Sequence, residues 1–356
     1  MKTLTYNQSE IRFGNLKDSE FNELLASPRY AQSKKVIITD ENVFDLWMED
    51  LITSFPALSE AEIIQLPPGE GNKVLDICQH VWGALSEYEI GRSDLIINFG
   101  GGVITDMGGF IAATFKRGLS FINIPTTLLS QVDASVGGKT GIDLGPYKNQ
   151  IGVFADPDYV FIDSRYLTTL PDLELDSGFA EMLKHGLIAD ADYWKTLQTI
   201  DPKVIPAGLI KTIYRSVEIK RQIVTEDHLE TGLRKNLNFG HTIGHAIEGF
   251  CLSKNEPIPH GYAVAWGMIA ESYISLQKGL INQTVFDEIN RTIRERFTKL
   301  TIAEKDLEQI KPLLLNDKKN VNGNISFTLL AGIGEAMHNQ QATDEQIDTA
   351  LRFVMS

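Results

Sequence analysis

LIINFGGGVITDMGGFIAATF, residues 95 to 115, is the stretch whose reading decides the fold. Its apolar start, Leu95, Ile96 and Ile97, reads as a strand. The run stops at Gly100, Gly101 and Gly102, and a helical pattern then begins with Asp106 in its first turns. A strand, a tight glycine turn and a helix start are expected in direct succession. Glycine allows close backbone approach and positive φ, and a helix N-terminus presents unpaired N–H groups, so the turn suits a pyrophosphate and a dinucleotide is the natural ligand. A glycine turn that only packs a helix onto a sheet fits the same residues equally well.

Upstream, KVIITD (Lys35 to Asp40) reads as a short buried strand ending in a carboxylate, with a helical segment from Asn42. Asp40 suits ribose hydroxyls, and it suits a helix N-cap as well. The acid precedes the glycines here, whereas in the G-x-G-x-x-G fingerprint it follows them, so this is not that motif. A strand at Ala61 to Gln65, the loop Pro67 to Lys73 containing Glu70, and a helix from Val74 to Tyr88 lead back to the glycines. Alternating strands and helices imply a parallel sheet with covering helices, and ligands sit at the carboxyl ends of such strands. Asp40, Glu70 and Gly100 to Gly102 all fall at those ends.

Downstream, a strand at Phe121 to Ile124 runs into Pro125, Thr126 and Thr127. Two polar patches follow, DASVGGKT (Asp133 to Thr140, with Lys139) and Tyr147-Lys148-Asn149. Their glycines imply close backbone approach and their lysines suit phosphate or carboxylate; a solvated surface hairpin is the alternative. After a strand at Tyr159 to Asp163 the repeating pattern ends at Leu170-Pro171. The expected domains are therefore 1–171, α/β, and 172–356, mainly helical until Ile325 to Leu330.

In the helical half, Glu181 stands beside Lys184 and His185 on one helix face. Arg234, Asn238, His241 and His245 lie in RKNLNFGHTIGHAIE, with the two histidines one turn apart, and His260 follows just ahead of another helix. A carboxylate and two histidines suit a divalent metal, commonly zinc, with an open fourth position. Buried structural histidines are the other reading.

At 356 residues and 39.7 kDa the chain is long for one core. Its 43% hydrophobic and 22% charged residues exclude a disordered chain. A net charge of -14 and a pI near 5.0 argue against nucleic acid or anionic membrane as partners, so any anionic ligand needs a local basic pocket. Cys78 and Cys251 make no disulfide framework. The opening MKTLTYNQSE lacks the apolar core of a signal peptide and no apolar run is long enough for a bilayer, so a soluble cytoplasmic protein is expected.

At this point the chain resembles the 3-dehydroquinate synthase family, within the sugar-phosphate cyclases. The matching stretches, in the family's order from Thr39 to Asn320, are TDENV, PPGEGNK, GGGVITDMGGFIAATFKRG, INIPTTLLSQVDASVGGKTGID, KNQIG, FAEMLKHGLI, KRQIV, GLRKNLNFGHTIGHAIE, HGYAVAWGM and NDKKN. The resemblance implies an N-terminal α/β NAD-binding domain with a Rossmann-like parallel sheet, a mainly α-helical C-terminal metal-binding domain, and an active site in the cleft between them.

It implies metal ligands at Glu181, His241 and His260, for one divalent ion, zinc or cobalt. It implies NAD contacts at Asp40, Asn42, Glu70, Lys73, Gly100, Gly101, Gly102, Asp106, Thr126, Thr127, Lys139 and Lys148. Substrate and catalytic positions fall on Asp133, Lys139, Asn149, Lys184, Lys220, Arg234, Asn238, His245 and Lys318, with Arg117 reaching a neighbouring subunit in a homodimer. The implied reaction, in the shikimate pathway of aromatic amino-acid biosynthesis, converts 3-deoxy-D-arabino-heptulosonate 7-phosphate to 3-dehydroquinate and phosphate by transient oxidation, elimination, reduction, ring opening and aldol closure. Lys139, Lys184, Lys220, Arg234 and Lys318 would make the cationic pocket that an acidic protein needs. Two positions depart from the family pattern: Tyr262 stands where many members carry an acid after His-Gly, and Tyr147 replaces the glycine before Lys148-Asn149.

Overall fold

The computed structural model describes residues 2–145, 147–204, 206–300, 302–314 and 325–355. The chain divides into two compact units, Met1–Pro171 with Ile205–Val217, and Asp172–Val204 with Glu218–Ser356. The short returning segment belongs to the first unit, where Tyr214 packs edge-on to Phe13 at 5.0 Å and lies under the Lys2 ammonium at 4.5 Å.

The first unit is built on strands β1 (Lys2–Tyr6), β2 (Ser9–Phe13), β3 (Lys35–Asp40), β4 (Glu62–Leu66), β5 (Leu95–Gly100) and β6 (Ser120–Pro125), followed by β7 (Lys139–Leu144), β8 (Tyr147–Phe154) and β9 (Tyr159–Ile162). Seven of these form one sheet in the order β1-β2-β9-β6-β5-β3-β4, parallel except for the β1–β2 hairpin. Strands β7 and β8 pair separately as an antiparallel hairpin.

The apolar run of β5 is central because both of its faces are covered. Ile97 and Phe99 point into one core with Phe21, Phe55 and Phe161. Ile96 points into the other, against Ile104, Met107 and Ile111 of helix Gly102–Thr114. Alternation of side chains along a strand explains the division. Asn98 falls on the second face, where its amide donates to the carboxamide oxygen of Asn123, its register partner on β6, at 2.9 Å. The helix then lies against Asn98, and a Cβ at Gly108 would collide with that side chain.

β1 and β2 were not expected from the polar opening. Their apolar positions are few, but Ser9, Ile11 and Phe13 alternate inward, and the register of β2 against β9 buries them. Chain order around β3 has a functional consequence: β4 pairs on one side of it and β5 on the other, so the winding reverses there. Crevices at such reversals, at the carboxyl ends of the strands, are where α/β sheets hold ligands. Asp40 and Gly100 end these two strands.

The second unit is mainly helical. Helices α1 (Asp172–Ala189), α2 (His241–Ser253) and α3 (His260–Gln277) carry its chemistry, and α3 is buried over most of its circumference, as a central helix must be. Strands β10 (Phe327–Gly332) and β11 (Glu335–Gln340) pair as a hairpin. The polar β11, EAMHNQ, had no apolar signal of its own; pairing with β10 makes it a strand. Among the described residues no helix is long and apolar enough to cross a membrane.

Gly108→Ala is expected to destabilise the protein by about 1 to 3 kcal/mol through overpacking against Asn98, read as a lower urea midpoint at unchanged m-value; an unchanged midpoint would mean that the helix has room to shift.

Candidate active site

In the first unit the crevice is lined by backbone. Of the two freedoms that glycine allows, close approach and positive φ, the turn does not use the second: none of Gly100, Gly101 and Gly102 is left-handed. Space is what demands glycine here: a Cβ on Gly100 would meet Ile104 at 2.6 Å, and one on Gly101 would meet Thr127 Cγ2 at 2.9 Å. The packing reading is therefore satisfied. The ligand reading is not displaced by it, because the helix Gly102–Thr114 starts at the strand reversal and its N-cap residue, Gly101, has no side chain to offer its first N–H groups.

Asp40 does cap a helix, its Oδ1 accepting from Val43 N at 3.0 Å, with Asn42 exposed in the same turn. Burial pushes the Asp40 carboxyl up while the Val43 and Asn42 N–H groups oppose the shift. Thr126 donates its backbone N–H to Gly100 O at 2.9 Å, and its buried hydroxyl has no hydrogen-bond partner among the described residues.

Lys73 is the organising cation of this unit. It is buried, and its ammonium donates to Asp106 Oδ2 at 2.7 Å and Asn149 Oδ1 at 2.6 Å, with Glu70 at 3.8 Å. Burial disfavours its charge, but Asp106 and Glu70 outweigh that and push Lys73 up to about 12. Asp143, which sequence reasoning missed, joins the cluster: its N–H donates to Lys73 O at 2.8 Å and its Oδ1 accepts from Asn149 N at 2.6 Å. Asn149 takes φ +50°, a left-handed position that asparagine tolerates. Tyr147 pairs in β8 with Leu144, an extended position that does not require the family's glycine. Asp133 is half-buried, Lys148 half-buried, and Lys139 exposed at the start of β7. Arg117 is exposed on a turn at φ +70°.

In the second unit three helices meet at glycines. A Cβ on Gly261 would overlap the Ser177 backbone of α1, and Gly261 N donates to Ser177 Oγ at 2.9 Å. A Cβ on Gly244 would approach Ala263 O to 2.9 Å, and one on Gly267 would overlap Gly240 O. These contacts bring α1, α2 and α3 close enough for short side chains to converge. His241 Nε2 and His260 Nε2 each lie 3.4 Å from the same oxygen, Oε1 of buried Glu181. Glu181 Oε2 pairs with buried Lys184, one turn along α1. His245 is exposed with its ring 5.1 Å from that of His241 and 5.8 Å from that of His260.

The arrangement fits a divalent ion. Donors about 2.0 to 2.2 Å from one tetrahedral ion are about 3.3 to 3.6 Å apart, which brackets the observed spacing. Among the described residues Glu181 Oε1 has no hydrogen-bond partner, while Oε2 faces the Lys184 ammonium. The ring nitrogens turned away from Glu181 have their own partners: His241 Nδ1 contacts Phe239 O at 3.1 Å and His260 Nδ1 contacts Glu248 Oε2 at 3.5 Å. Such contacts set tautomer and ring orientation, leaving Nε2 as the ligand atom. Burial would raise the Glu181 carboxyl, but Lys184 and His241 reverse this and hold it well below the usual carboxylate range. Burial and Lys184 lower His241, which keeps that imidazole neutral.

Elsewhere in this unit, Arg234 is buried and its guanidinium donates to His228 O at 2.6 Å. Asp227 shapes that loop by accepting from the N–H groups of Thr231 at 2.9 Å, Gly232 at 2.7 Å and Arg234 at 3.0 Å. Burial opposes ionisation of Asp227, yet these donors bring it down to about 2. Asn238 donates to Glu230 at 2.7 Å, and Lys220 is buried on the helix Ile210–Glu226. Lys318 lies outside the described residues. Tyr262, at the position where the family's acid was missing, donates its hydroxyl to Asp176 Oδ2 at 2.9 Å, and Asp176 also pairs with Lys203 at 2.7 Å. Glu248 is the acid beside His260. Sequence reasoning missed it, although it falls one turn beyond His245 on the same helix.

A family model described as 3-dehydroquinate synthase N-terminal matches residues 63–177, and one described as 3-dehydroquinate synthase C-terminal matches residues 178–320. The chain is 41% identical over 336 residues to the 3-dehydroquinate synthase of Parabacteroides distasonis, covering 94% of each chain. It is 41% identical to that of Alkaliphilus metalliredigens over 89% of each. Among solved structures it is similar to a 2-deoxy-scyllo-inosose synthase complexed with carbaglucose-6-phosphate, NAD+ and Co2+, at TM-score 0.85 and 26% identity over 99% of both chains.

Glu181→Ala or His260→Ala is expected to lower the bound divalent-ion stoichiometry, measured by elemental analysis of dialysed protein; full occupancy would strike that residue from the ligand set. Asp227 supplies the pH dependence. Its carboxyl sits below its unfolded value of about 3.9, so its stabilisation is present above that pH and is lost as pH falls toward about 2. Asp227→Asn should therefore flatten the acid limb of the stability profile between those values, and an unaltered limb would show that the loop N–H groups do not hold the charge.

Proposed function

The chain belongs to the 3-dehydroquinate synthase family, and from that premise we propose that it is a phosphate-eliminating carbon–oxygen lyase. Its substrate is 3-deoxy-D-arabino-heptulosonate 7-phosphate and its products are 3-dehydroquinate and phosphate, a step of the shikimate pathway. The observation that carries the reading is the convergence of Glu181, His241 and His260 at 3.4 Å spacings in a chain 41% identical to a 3-dehydroquinate synthase.

We assign NAD to the first unit and one divalent ion, zinc or cobalt, to the second; bound, they would supply reversible hydride acceptance and Lewis acidity. The uncapped start of the helix Gly102–Thr114 offers N–H groups to a pyrophosphate, and Asp40 an acceptor to a ribose. Lys73 neutralises Asp106 and orients Asn149. In the second unit Glu181, His241 and His260 would hold the ion, and Lys184 keeps the Glu181 carboxyl ionised. His245, exposed beside the two ligand imidazoles, is suited to moving a proton at a substrate hydroxyl or phosphate oxygen. Arg234 and Lys220 offer charge to the carboxylate or phosphate of a sugar acid, in the role also proposed for Lys139 and Lys318. Arg234 is held by Asp227 and His228 before any ligand arrives, so little ordering remains to be done on binding. A cytoplasmic homodimer, with Arg117 directed to the neighbouring subunit, completes the proposal.

A second reading, cyclisation of glucose 6-phosphate or sedoheptulose 7-phosphate, is favoured by the likeness to 2-deoxy-scyllo-inosose synthase. The test is phosphate release from each of the three sugar phosphates, with and without chelator, while absorbance of the reduced nicotinamide is followed. Expected is chelator-sensitive release from the heptulosonate with no net reduction of the cofactor. Preferred turnover of either sugar phosphate that lacks the carboxylate, or accumulation of reduced cofactor as in an alcohol dehydrogenase, would overturn the assignment.

A further inference from the structure

We infer that Glu271 is a positioning residue for the ion site: its carboxylate holds the first turn of α2 in the orientation that directs His241 at Glu181. The inference rests on the metal reading above and extends it to a residue that touches no ligand.

Glu271 is fully buried on α3, yet its two oxygens both face the start of α2. Oε2 accepts from Gly240 N at 2.6 Å and Oε1 from Ile243 N at 3.1 Å. A helix start is ordinarily capped from within, by a Ser, Thr, Asp or Asn at the residue before it. Here that residue is Gly240, which has no side chain to offer, and it cannot be exchanged for one that does. Its φ is +79°, and a Cβ would meet Met268 Cγ at 2.6 Å and Val264 O at 2.9 Å, both on α3. The cap therefore has to come from the helix packed against the turn.

The consequence reaches His241, which lies between the two gripped amides. Its Nδ1 contacts Phe239 O at 3.1 Å, so the imidazole is oriented by the same short piece of backbone that Glu271 holds. Glu271 stands about three turns along α3 from His260, on the same side of the helix. One rigid helix thus carries one histidine ligand at its first residue and, further along, the carboxylate that sets the other. Glu271 is itself tied down: Ser275 Oγ donates to Glu271 O at 2.9 Å and accepts from Leu330 N at 3.0 Å on β10.

The test uses full-length protein loaded with cobalt, whose visible absorption reports ligand geometry. Release of the ion to a chelator is timed for wild type, Glu271→Gln and Glu271→Met, and melting is recorded for loaded and chelated forms. Expected is release about 10-fold faster or more for Glu271→Met, in the range seen when outer-shell partners of metal ligands are removed. Glu271→Gln, which keeps one acceptor, should fall between, and both spectra should shift. The gap in melting temperature between loaded and chelated protein should narrow. If both variants melt lower by equal amounts in the two forms while spectrum and release rate stay at wild-type values, Glu271 is only a structural cap and the inference is wrong. Should Glu271→Met fail to fold, Glu271→Gln decides alone. Wild-type protein that takes up no cobalt would remove the metal reading itself, and that result is seen before any substitution is made.

Discussion

Two imidazoles and a carboxylate can share one point in space only if the helices bearing them approach more closely than ordinary side chains permit. Glycines supply that approach: Gly261 against Ser177, Gly244 against Ala263, and Gly267 against Gly240. A methyl group at any of these would push α3 from α1 or α2 and open the 3.4 Å spacings around Glu181. Burying Glu181 is costly unless its charge is answered, and Lys184 and the histidines answer it. The site is a place where packing density and charge have to be solved together.

The same logic governs the first unit. A chain with net charge -14 handling anions must gather cations locally and keep them charged. Lys73 shows how: it is buried, but Asp106 and Glu70 raise its affinity for the proton, and Asn149 completes its hydrogen bonds. Asp227 works on the opposite sign, using backbone N–H groups to stay ionised while it holds the loop that carries Arg234. In both places ordering is complete within the protein's own hydrogen bonds, so the rigidity that binding needs is already present.

Legibility in the sequence followed how local each signal was. The strand and helix around Gly100 were readable because β5 is apolar on both faces and the helix begins at once. His241, His245 and His260 stood out because histidines are few and two of them are one turn apart. Of the two properties invoked for the glycines only close approach is used: the turn needs space beside Ile104 and Thr127 and uses no left-handed backbone. β1, β2 and β11 were hidden because their strand character comes from pairing, with few apolar residues of their own. Asp143, Asp227, Glu248 and Glu271 were passed over because an acidic residue in a sequence is ordinarily a solvated one, and only Glu248, one turn beyond His245, carried a local signal.

By itself the sequence determined the alternation of strands and helices in the first part of the chain, the helical character of the second, and the residue types available for nucleotide, metal and phosphate. Those properties depend on neighbours within a few residues, through the periods of 2 and 3.6 that backbone geometry imposes. Only the tertiary structure decided which nitrogen of each histidine faces Glu181, that Tyr262 turns to Asp176 while Glu248 attends His260, and that a carboxylate on α3 caps the start of α2. These are meetings between residues far apart in the chain, set by which helix faces can touch, and helix contact is a property of shape in three dimensions that no single stretch encodes.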